Sequence, residues 1–179
     1  IKMSNLEERV KSIIRDIPDF PKPGIIFKDI TPLLDNPKLC LEMTKYMVEQ
    51  FSDIKIDAII AIESRGFMIG TLMSQILDVP LVLVRKKGKL PYKTYSYKYD
   101  LEYGSSELEI HMDAVKPDWN VVIHDDLIAT GGTADAAAHL VNQCSGNVVG
   151  YSFLVNLSFL NGDKILKSHT SKMVNIATY

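Results

Sequence analysis

The sequence predicts an α/β fold with a doubly wound, mostly parallel sheet. Short apolar runs alternate along the chain with segments of helical period, which is the pattern of strand–helix–strand units. The run at residues 56–62 is nearly continuous in apolar residues, as expected of a parallel strand buried on both faces. The stretch at about 86–114 has no helical period, and a long insertion of this kind is typical of a lid over a functional site.

The N-terminal part is predicted to contain two helices. Apolar residues of the first recur at helical intervals, at Leu6, Val10, Ile13, Ile14 and Ile17. This helix is expected to end where helix-breaking residues cluster, at Pro18, Pro21, Pro23 and Gly24. The second helix is predicted from residue 36 to about residue 51, because Pro37 suits the first position of a helix.

Strands and helices alternate beyond residue 51. We predict strands over residues 56–62, 80–84, 120–123 and 148–155. The segments 66–77 and 133–144 have helical period and are predicted as helices. In open sheets of this class, ligands bind outside the carboxyl ends of the strands, so a site is expected there.

The composition is that of an ordinary globular protein. The chain has 179 residues and a formal net charge of −2, which suits a single core and argues against a nucleic-acid partner. Cys40 and Cys144 are too few and too far apart for a disulfide framework, so a reducing compartment, the cytoplasm, is expected. No apolar run approaches the length needed to span a bilayer.

The histidines give no sign of a metal site in the sequence. The four of them, His111, His124, His139 and His169, show no metal-ligand spacing. A metal site built from protein side chains is therefore not expected. His124 stands directly before two aspartates, where an apolar residue is ordinary, and from there it can shift the pKa of Asp125.

Residues 121–133 have the organisation of a ribose-phosphate site. Three apolar residues end in the carboxylates Asp125 and Asp126, and a loop of small residues precedes the next helix. The loop consists of Ala129, Thr130, Gly131, Gly132 and Thr133. Glycines allow the backbone to approach a phosphate, and the N-terminus of a helix attracts it. The carboxylates repel phosphate, but they accept hydrogen bonds from the vicinal hydroxyls of a ribose.

Alternative interpretations of this segment are weaker. A lone pair of glycines more often simply forms a turn between a strand and a helix, and adjacent aspartates are more often exposed to solvent. The order of strand, acidic pair, small loop and helix favours the ribose-phosphate interpretation. The segment has neither the Gly-Lys-Thr of a Walker A loop nor the spacing of a dinucleotide fingerprint.

Residues 125–133 resemble the phosphoribosyl pyrophosphate motif of type I phosphoribosyltransferases. Further segments are similar to one branch of that family, the adenine phosphoribosyltransferases, and occur in the family's order. These segments are residues 19–34, 63–67, 85–91 and 101–104. The similarity covers nearly the whole chain, and 19–34 is the most discriminating segment because other phosphoribosyltransferases lack it.

The resemblance implies a type I phosphoribosyltransferase fold in one domain over residues 1–179. The N-terminal helix and base-binding segment would occupy residues 1–34, the core 35–160, and a flexible hood loop or hairpin about 86–114. It also implies a homodimer in which adenine attacks C1 of phosphoribosyl pyrophosphate, giving AMP and pyrophosphate. Mg²⁺ would be the cofactor, held mainly by substrate oxygens.

The resemblance also assigns roles to residues. The ribose 5-phosphate would be bound by Asp125, Asp126, Ala129, Thr130, Gly131, Gly132 and Thr133. Pyrophosphate would be bound by Ser64, Arg65, Arg85, Lys86 and Lys89, of which Arg65 and Lys89 are candidate catalytic residues because they can stabilise the charge that develops on the leaving group.

For the base, Phe27 would stack on adenine while Ile26 and Lys28 supply main-chain hydrogen bonds. From the residues alone, Phe27 is equally well a core residue beside a proline-rich turn. Glu102 would move the proton that adenine must lose, although most loop glutamates are simply exposed to water. Tyr103 would close the lid over the site.

Two other functions remain open from the sequence. One is a phosphoribosyltransferase for a 6-oxopurine, although such enzymes usually carry Glu-Asp before the small loop. The other is a non-catalytic regulator that senses phosphoribosyl pyrophosphate. Such a regulator would need a DNA-binding domain or a basic face, and it would not need Glu102.

Overall fold

A computed structural model describes residues 3–100 and 104–179 of the chain. The N-terminal elements are the helix α1 (Met3–Ile13), the strands β1 (Arg15–Pro18) and β2 (Ile26–Asp29), a 3₁₀ turn (Thr31–Asp35) and the helix α2 (Pro37–Glu49). Strands β1 and β2 form a separate antiparallel pair. Asn36 begins α2 by accepting a hydrogen bond from the Leu39 N–H, at 3.1 Å.

The first helix is shorter than the apolar pattern predicts. Helix α1 ends at Ile13, and Ile17 lies in β1, where it pairs with Phe27. Ile14 is buried in the core just beyond the helix. At a chain reversal, an apolar residue three or four positions after a helical one can belong to a strand as well as to the helix. The predicted extension of the helix to Ile17 was therefore wrong.

A seven-stranded sheet forms the centre of the molecule. Its strands and the helices between them are β3 (Ala58–Ile62), α3 (Gly66–Leu77), β4 (Leu81–Lys86), β5 (Thr94–Asp100), β6 (Ser105–His111), β7 (Asn120–Ile128), α4 (Gly132–Gln143), β8 (Asn147–Asn156), α5 (Asp163–Leu166) and β9 (Met173–Thr178). The order across the sheet is β5-β6-β4-β3-β7-β8-β9. Strands β4, β3, β7, β8 and β9 run parallel, and β6 and β5 continue the sheet in antiparallel pairing.

Helices cover both faces of the sheet, which confirms the doubly wound α/β prediction. Apolar residues of β3 alternate between two clusters, with Ile59 in one and Ile60 in the other. The Ile60 cluster contains the alanine-rich face of α4, and the Ile59 cluster contains residues of α1, α2 and α3. Burial on both faces explains why all five residues of β3 are inaccessible to solvent.

The insertion at about 86–114 contains a hairpin. Strands β5 and β6 pair along their whole length, and β6 joins the sheet where Arg85 pairs with Glu109. Residues 101–103, which follow β5 in the sequence, lie outside the described residues. The sequence pattern did not indicate β9, which comes after residue 160. It forms the edge of the sheet opposite β5. Among the described helices, none is long and apolar enough to cross a membrane.

Candidate active site

A cavity of about 560 Å³ lies at the carboxyl ends of β3 and β7. Its wall is formed by the turn after β3, by the end of β7 with the loop that follows, and by the β5–β6 hairpin. All seven residues predicted to hold a ribose phosphate line it: Asp125, Asp126, Ala129, Thr130, Gly131, Gly132 and Thr133. The structure therefore brings the predicted segment together at the edge of the sheet where ligands of α/β proteins bind.

The loop before α4 presents unpaired backbone donors to this cavity. The first N–H bonded within the helix belongs to Asp135, which donates to the Gly131 carbonyl at 2.9 Å. The N–H groups of Gly132, Thr133 and Ala134 precede that of Asp135 in the chain. No carbonyl within the helix is available to accept a hydrogen bond from them. Together with the positive end of the helix dipole they form an anion site of the kind that binds phosphate.

Gly131 is required by the shape of this loop. Its φ of 86° lies in the left-handed region, where residues with a side chain are strained. A Cβ at this position would also collide with the Gly162 carbonyl. The segment before α5 therefore packs directly against the back of the phosphate loop.

Asp126 is held by an ion pair with Arg65. The Arg65 Nε lies 2.7 Å from Asp126 Oδ2, and the Asp126 side chain is only 6% exposed. Arg65 belongs to the turn after β3, whereas Asp126 lies in β7. Since β3 and β7 are neighbouring parallel strands, the ion pair joins the turn after β3 to β7, although its two residues are 61 positions apart in sequence.

The acidic pair is electrostatically costly in the free protein. Asp125 Oδ1 accepts a hydrogen bond from the Asp126 N–H at 2.8 Å. Burial and then the neighbouring charge of Asp126 raise the pKa of Asp125 well above its ordinary value. Burial also raises the pKa of Asp126, although the positive charge of Arg65 opposes the change.

Arg65 also contacts the N-terminal segment. Its guanidinium carbon lies 4.9 Å from the centre of the Phe27 ring, in cation–π contact. The ring of Phe20 packs edge-on against Phe27, with 5.2 Å between the centres. One side chain thus touches both the acidic pair and the aromatic ring predicted to hold a base.

Comparison with known proteins agrees with this geometry. Residues 29–174 match the model of the phosphoribosyl transferase domain. This chain belongs to the phosphoribosyltransferase family. It is 46% identical over 174 residues to the adenine phosphoribosyltransferase of Cytophaga hutchinsonii, covering 97% of this chain and 96% of that protein.

Solved structures of phosphoribosyltransferases have the same fold. The adenine phosphoribosyltransferase of Rhodothermus marinus is 45% identical, with a TM-score of 0.92 over 98% of this chain and 99% of that one. The enzyme of Saccharomyces cerevisiae, solved with an imino-altritol bisphosphate and adenine, is 37% identical, with a TM-score of 0.89 over 97% of this chain and 99% of that one.

The residues that the family resemblance assigns to pyrophosphate divide into two groups. Ser64, Arg65 and Lys86 line the cavity, whereas Arg85 and Lys89 do not. The Arg85 guanidinium instead bonds to the Glu63 carboxylate, with Nε–Oε2 at 3.1 Å, and to the Lys89 carbonyl at 3.1 Å. The peptide bond between Glu63 and Ser64 is cis.

Glu63 organises this side of the phosphoribosyltransferase site, a role the sequence did not indicate. It lines the cavity and accepts a hydrogen bond from the Lys86 N–H at 3.1 Å. Burial opposes its ionisation, but the bonds from Lys86 and Arg85 prevail and lower the pKa of Glu63. An ionised Glu63 therefore ties the end of β4 to the turn after β3.

The base-binding candidates lie in β2. Ile26 is exposed, and Phe27 is half-buried beside Arg65. The side chain of Lys28 points elsewhere, since its Nζ lies 2.7 Å from Asp16 Oδ1 and 3.8 Å from the centre of the Tyr179 ring. The Lys28 side chain is thus engaged with Asp16 and Tyr179, and its backbone belongs to the β1–β2 pair.

The hairpin contributes a residue that the sequence analysis missed. The Tyr99 hydroxyl lies 3.1 Å from Thr133 Oγ1, and its ring lines the cavity. Tyr95 and Tyr97 pack on the same core cluster, so the period-two spacing of tyrosines in β5 was the available signal. Glu102 and Tyr103, predicted for proton transfer and lid closure, lie outside the described residues.

His124 is a core residue beside the site. It is fully buried, with Nδ1 3.3 Å from Ser152 Oγ. Burial lowers its pKa to about 3, so the ring is uncharged at neutral pH. An uncharged ring adds no charge beside Asp125, and the raised pKa of Asp125 follows from burial and from Asp126.

Replacing Arg65 with alanine should destabilise the protein more than removing a surface ion pair. The change leaves the Asp126 carboxylate buried without its cation, and we expect the free energy of unfolding to fall by about 1–3 kcal/mol. Urea denaturation measures this loss. Arg9→Ala is the control, because the Arg9–Glu42 pair at 2.8 Å is solvated and its removal should cost clearly less. Equal losses for the two variants would contradict the structural importance of the Arg65–Asp126 pair.

Asp125→Asn should stabilise the ligand-free protein increasingly as the pH rises. Because the folded-state pKa of Asp125 is raised, its contribution to stability is complete below the unfolded value of 3.8 and is lost as the pH rises through the folded value. Asparagine does not titrate, so the variant escapes this loss, at most about 1.4 kcal/mol per pH unit.

Urea denaturation of wild type and variant from pH 4 to pH 8 measures the effect. The control is Asp163→Asn, because a hydrogen bond from Lys167 lowers the pKa of Asp163. It should show no gain over wild type across this range. A stability difference for Asp125→Asn that does not change with pH would contradict the raised pKa.

Proposed function

We propose that this chain transfers the 5-phosphoribosyl group from phosphoribosyl pyrophosphate to adenine, giving AMP and pyrophosphate. The observation that carries the proposal is the double contact of Arg65, which pairs with Asp126 and lies over Phe27. A ribose on the acidic pair and a base on the Phe27 ring would then be adjacent, as a nucleoside monophosphate requires. The names of its relatives support adenine as that base.

The residues around the cavity suit the charges of this reaction. A bond forms between C1 and the lone pair of adenine N9 while the bond from C1 to the pyrophosphate oxygen breaks, and adenine loses the proton that its five-membered ring carries on N7. The loop before α4 would anchor the 5-phosphate, and the acidic pair would accept hydrogen bonds from the ribose hydroxyls. Arg65 and Lys86, with Ser64, would meet the charge that grows on the leaving pyrophosphate.

Arg85 and Lys89 do not line the cavity, so they would have to turn towards a bound pyrophosphate. Lys89 is exposed and donates its backbone N–H to Glu109 Oε1 at 2.9 Å, so its ammonium group can turn towards a bound substrate. Arg85 holds Glu63, and it would reach pyrophosphate only by leaving that carboxylate. Arg85 would thus have to give up a structural contact in order to act on pyrophosphate.

Mg²⁺ is the cofactor we infer for this reaction. Oxygen ligands suit Mg²⁺, but both carboxylates near the phosphate loop are engaged, Asp125 by the Asp126 N–H and Asp126 by Arg65. We therefore infer that substrate oxygens would mainly hold the ion, and that Asp125 and Asp126 would add negative charge beside it. When bound, it supplies positive charge to the pyrophosphate oxygens.

Glu102 and Tyr103 complete the proposal. Glu102 would exchange the proton that adenine gives up, acting at N7 of the base. Tyr103 would exclude water that could hydrolyse the activated sugar. The Tyr99–Thr133 contact at 3.1 Å supports a lid that touches the phosphate loop.

We also propose that the chain acts as a homodimer in the cytoplasm. Leu83 lies in β4, where it pairs with β3 but precedes the two residues that pair with β6, and 37% of its surface is exposed. An uncovered leucine within a sheet supports contact with a second copy, and sedimentation equilibrium measures the resulting mass. Both cysteines are free and buried, which supports a reducing compartment.

Steady-state assays with four bases test the proposed function. With phosphoribosyl pyrophosphate and Mg²⁺, we expect AMP from adenine at a kcat/KM far above that for hypoxanthine, guanine or xanthine. A preference for a 6-oxopurine would overturn the choice of base. Binding of phosphoribosyl pyrophosphate without any nucleotide product would instead support a sensing regulator.

Glu102→Gln tests the proton-transfer role. Glutamine has nearly the same shape but cannot accept the proton, so kcat should fall about 10²-fold while the KM values change little. Glu107→Gln is the matched control on the same hairpin, because Glu107 pairs with Lys87 at 2.8 Å, away from the cavity lining. An unchanged kcat in Glu102→Gln would remove Glu102 from the chemistry.

A further inference from the structure

A cluster of two histidines and one aspartate lies outside the cavity. The Nε2 atom of His169 is 2.9 Å from Asp135 Oδ1, and the Nε2 atom of His139 is 3.5 Å from Asp135 Oδ2. One ligand atom from each of the three residues lies within 4.8 Å of the others. We propose that Asp135, His139 and His169 form a binding site for a divalent transition-metal ion, of which Zn²⁺ is the representative.

The backbone brings these ligands together from two places. Asp135 and His139 are four residues apart on α4 and therefore lie on the same side of the helix. His169 comes from the segment between α5 and β9, and its backbone N–H donates to the Leu166 carbonyl at 3.0 Å. Two of the three side chains are well shielded, with 14% of Asp135 and 10% of His169 exposed, while His139 is 40% exposed.

The spacing suits a tetrahedral ion. With bonds of about 2.0–2.1 Å, the ligands of tetrahedral Zn²⁺ lie about 3.3 Å apart. The separations of 2.9 Å and 3.5 Å run from the two imidazoles to different oxygens of Asp135, and one ligand atom from each residue lies within 4.8 Å of the others, so side-chain rotations would bring the three onto one ion. Imidazole ligands favour zinc and other late transition-metal ions over Mg²⁺ or Ca²⁺. Because His139 is partly exposed, water could occupy the fourth ligand position.

Neighbouring groups support a built site. The Tyr97 ring stacks on His139, with 4.4 Å between the centres and 8° between the planes, which fixes the orientation of the imidazole. The Tyr151 hydroxyl is buried and has no hydrogen-bond partner among the described residues. Burial, and then the charge of Asp135, raise the pKa of Tyr151. This group thus lies within the electrostatic reach of the cluster.

A metal ion here would brace the phosphate loop from behind. Asp135 donates its N–H to Gly131, in the loop itself. His169 follows α5, and Gly162 just before α5 closes against Gly131. Tyr97 belongs to the same strand as Tyr99, whose hydroxyl contacts Thr133. The ion would tie α4, the segment after α5 and the hairpin into one unit.

Calorimetric titration of the chelator-treated full chain with ZnCl₂, without substrate or Mg²⁺, tests the proposal. We expect one ion per chain and a higher melting temperature with zinc. Asp135→Asn and His169→Gln should each weaken zinc binding at least about tenfold, since even the outer partners of a metal site act on that scale. If His169→Gln does not fold, His139→Gln replaces it, because that side chain is more exposed. Absence of zinc binding to the wild type would overturn the proposal.

Two controls locate the ion. His111→Gln replaces a histidine outside the cluster and should leave zinc affinity unchanged. Asp125→Asn alters the cavity and should also leave it unchanged. Zinc binding that is lost in Asp125→Asn but retained in His169→Gln would put the ion in the cavity and overturn the proposal. Because no substrate is present, the result is independent of the enzymatic assays.

Discussion

The ion pair between Arg65 and Asp126 is the interaction on which the candidate active site depends. Its two residues lie after β3 and within β7, which are neighbouring parallel strands. The same guanidinium lies over Phe27 in the N-terminal segment. A single cation therefore determines where the phosphate loop, the turn after β3 and the aromatic ring lie relative to each other.

The acidic pair is electrostatically costly for the folded protein. Burial raises the pKa of both carboxyl groups, the charge of Asp126 adds to the effect on Asp125, and Arg65 compensates only part of the cost. Under the proposed function, hydroxyl donors from a ribose would stabilise both charges. The acceptors that a sugar requires would then be in place before binding, while the packed sheet supplies the stability that the acidic pair lacks.

How much could be predicted from the sequence differs between parts of the site. The segment from Asp125 to Thr133 was predictable because strand, acidic pair, loop and helix follow one another directly in the chain. Ile17 misled the prediction of α1 because its spacing suits a helix as well as a strand at a reversal. Glu63 and Tyr99 were missed because their partners, Arg85 and Thr133, are more than twenty residues away.

By itself, the sequence determined the α/β class, the buried parallel strands and the phosphate loop, because periodicity and backbone chemistry are local properties. Only the tertiary structure decided that Arg65 joins Asp126 to Phe27, that Arg85 holds Glu63, and that two histidines meet at Asp135. The spacing of His139 and His169 gave no sign of that meeting. Such contacts depend on strand order and on the path of the chain between elements, and these are set by packing across the whole sheet.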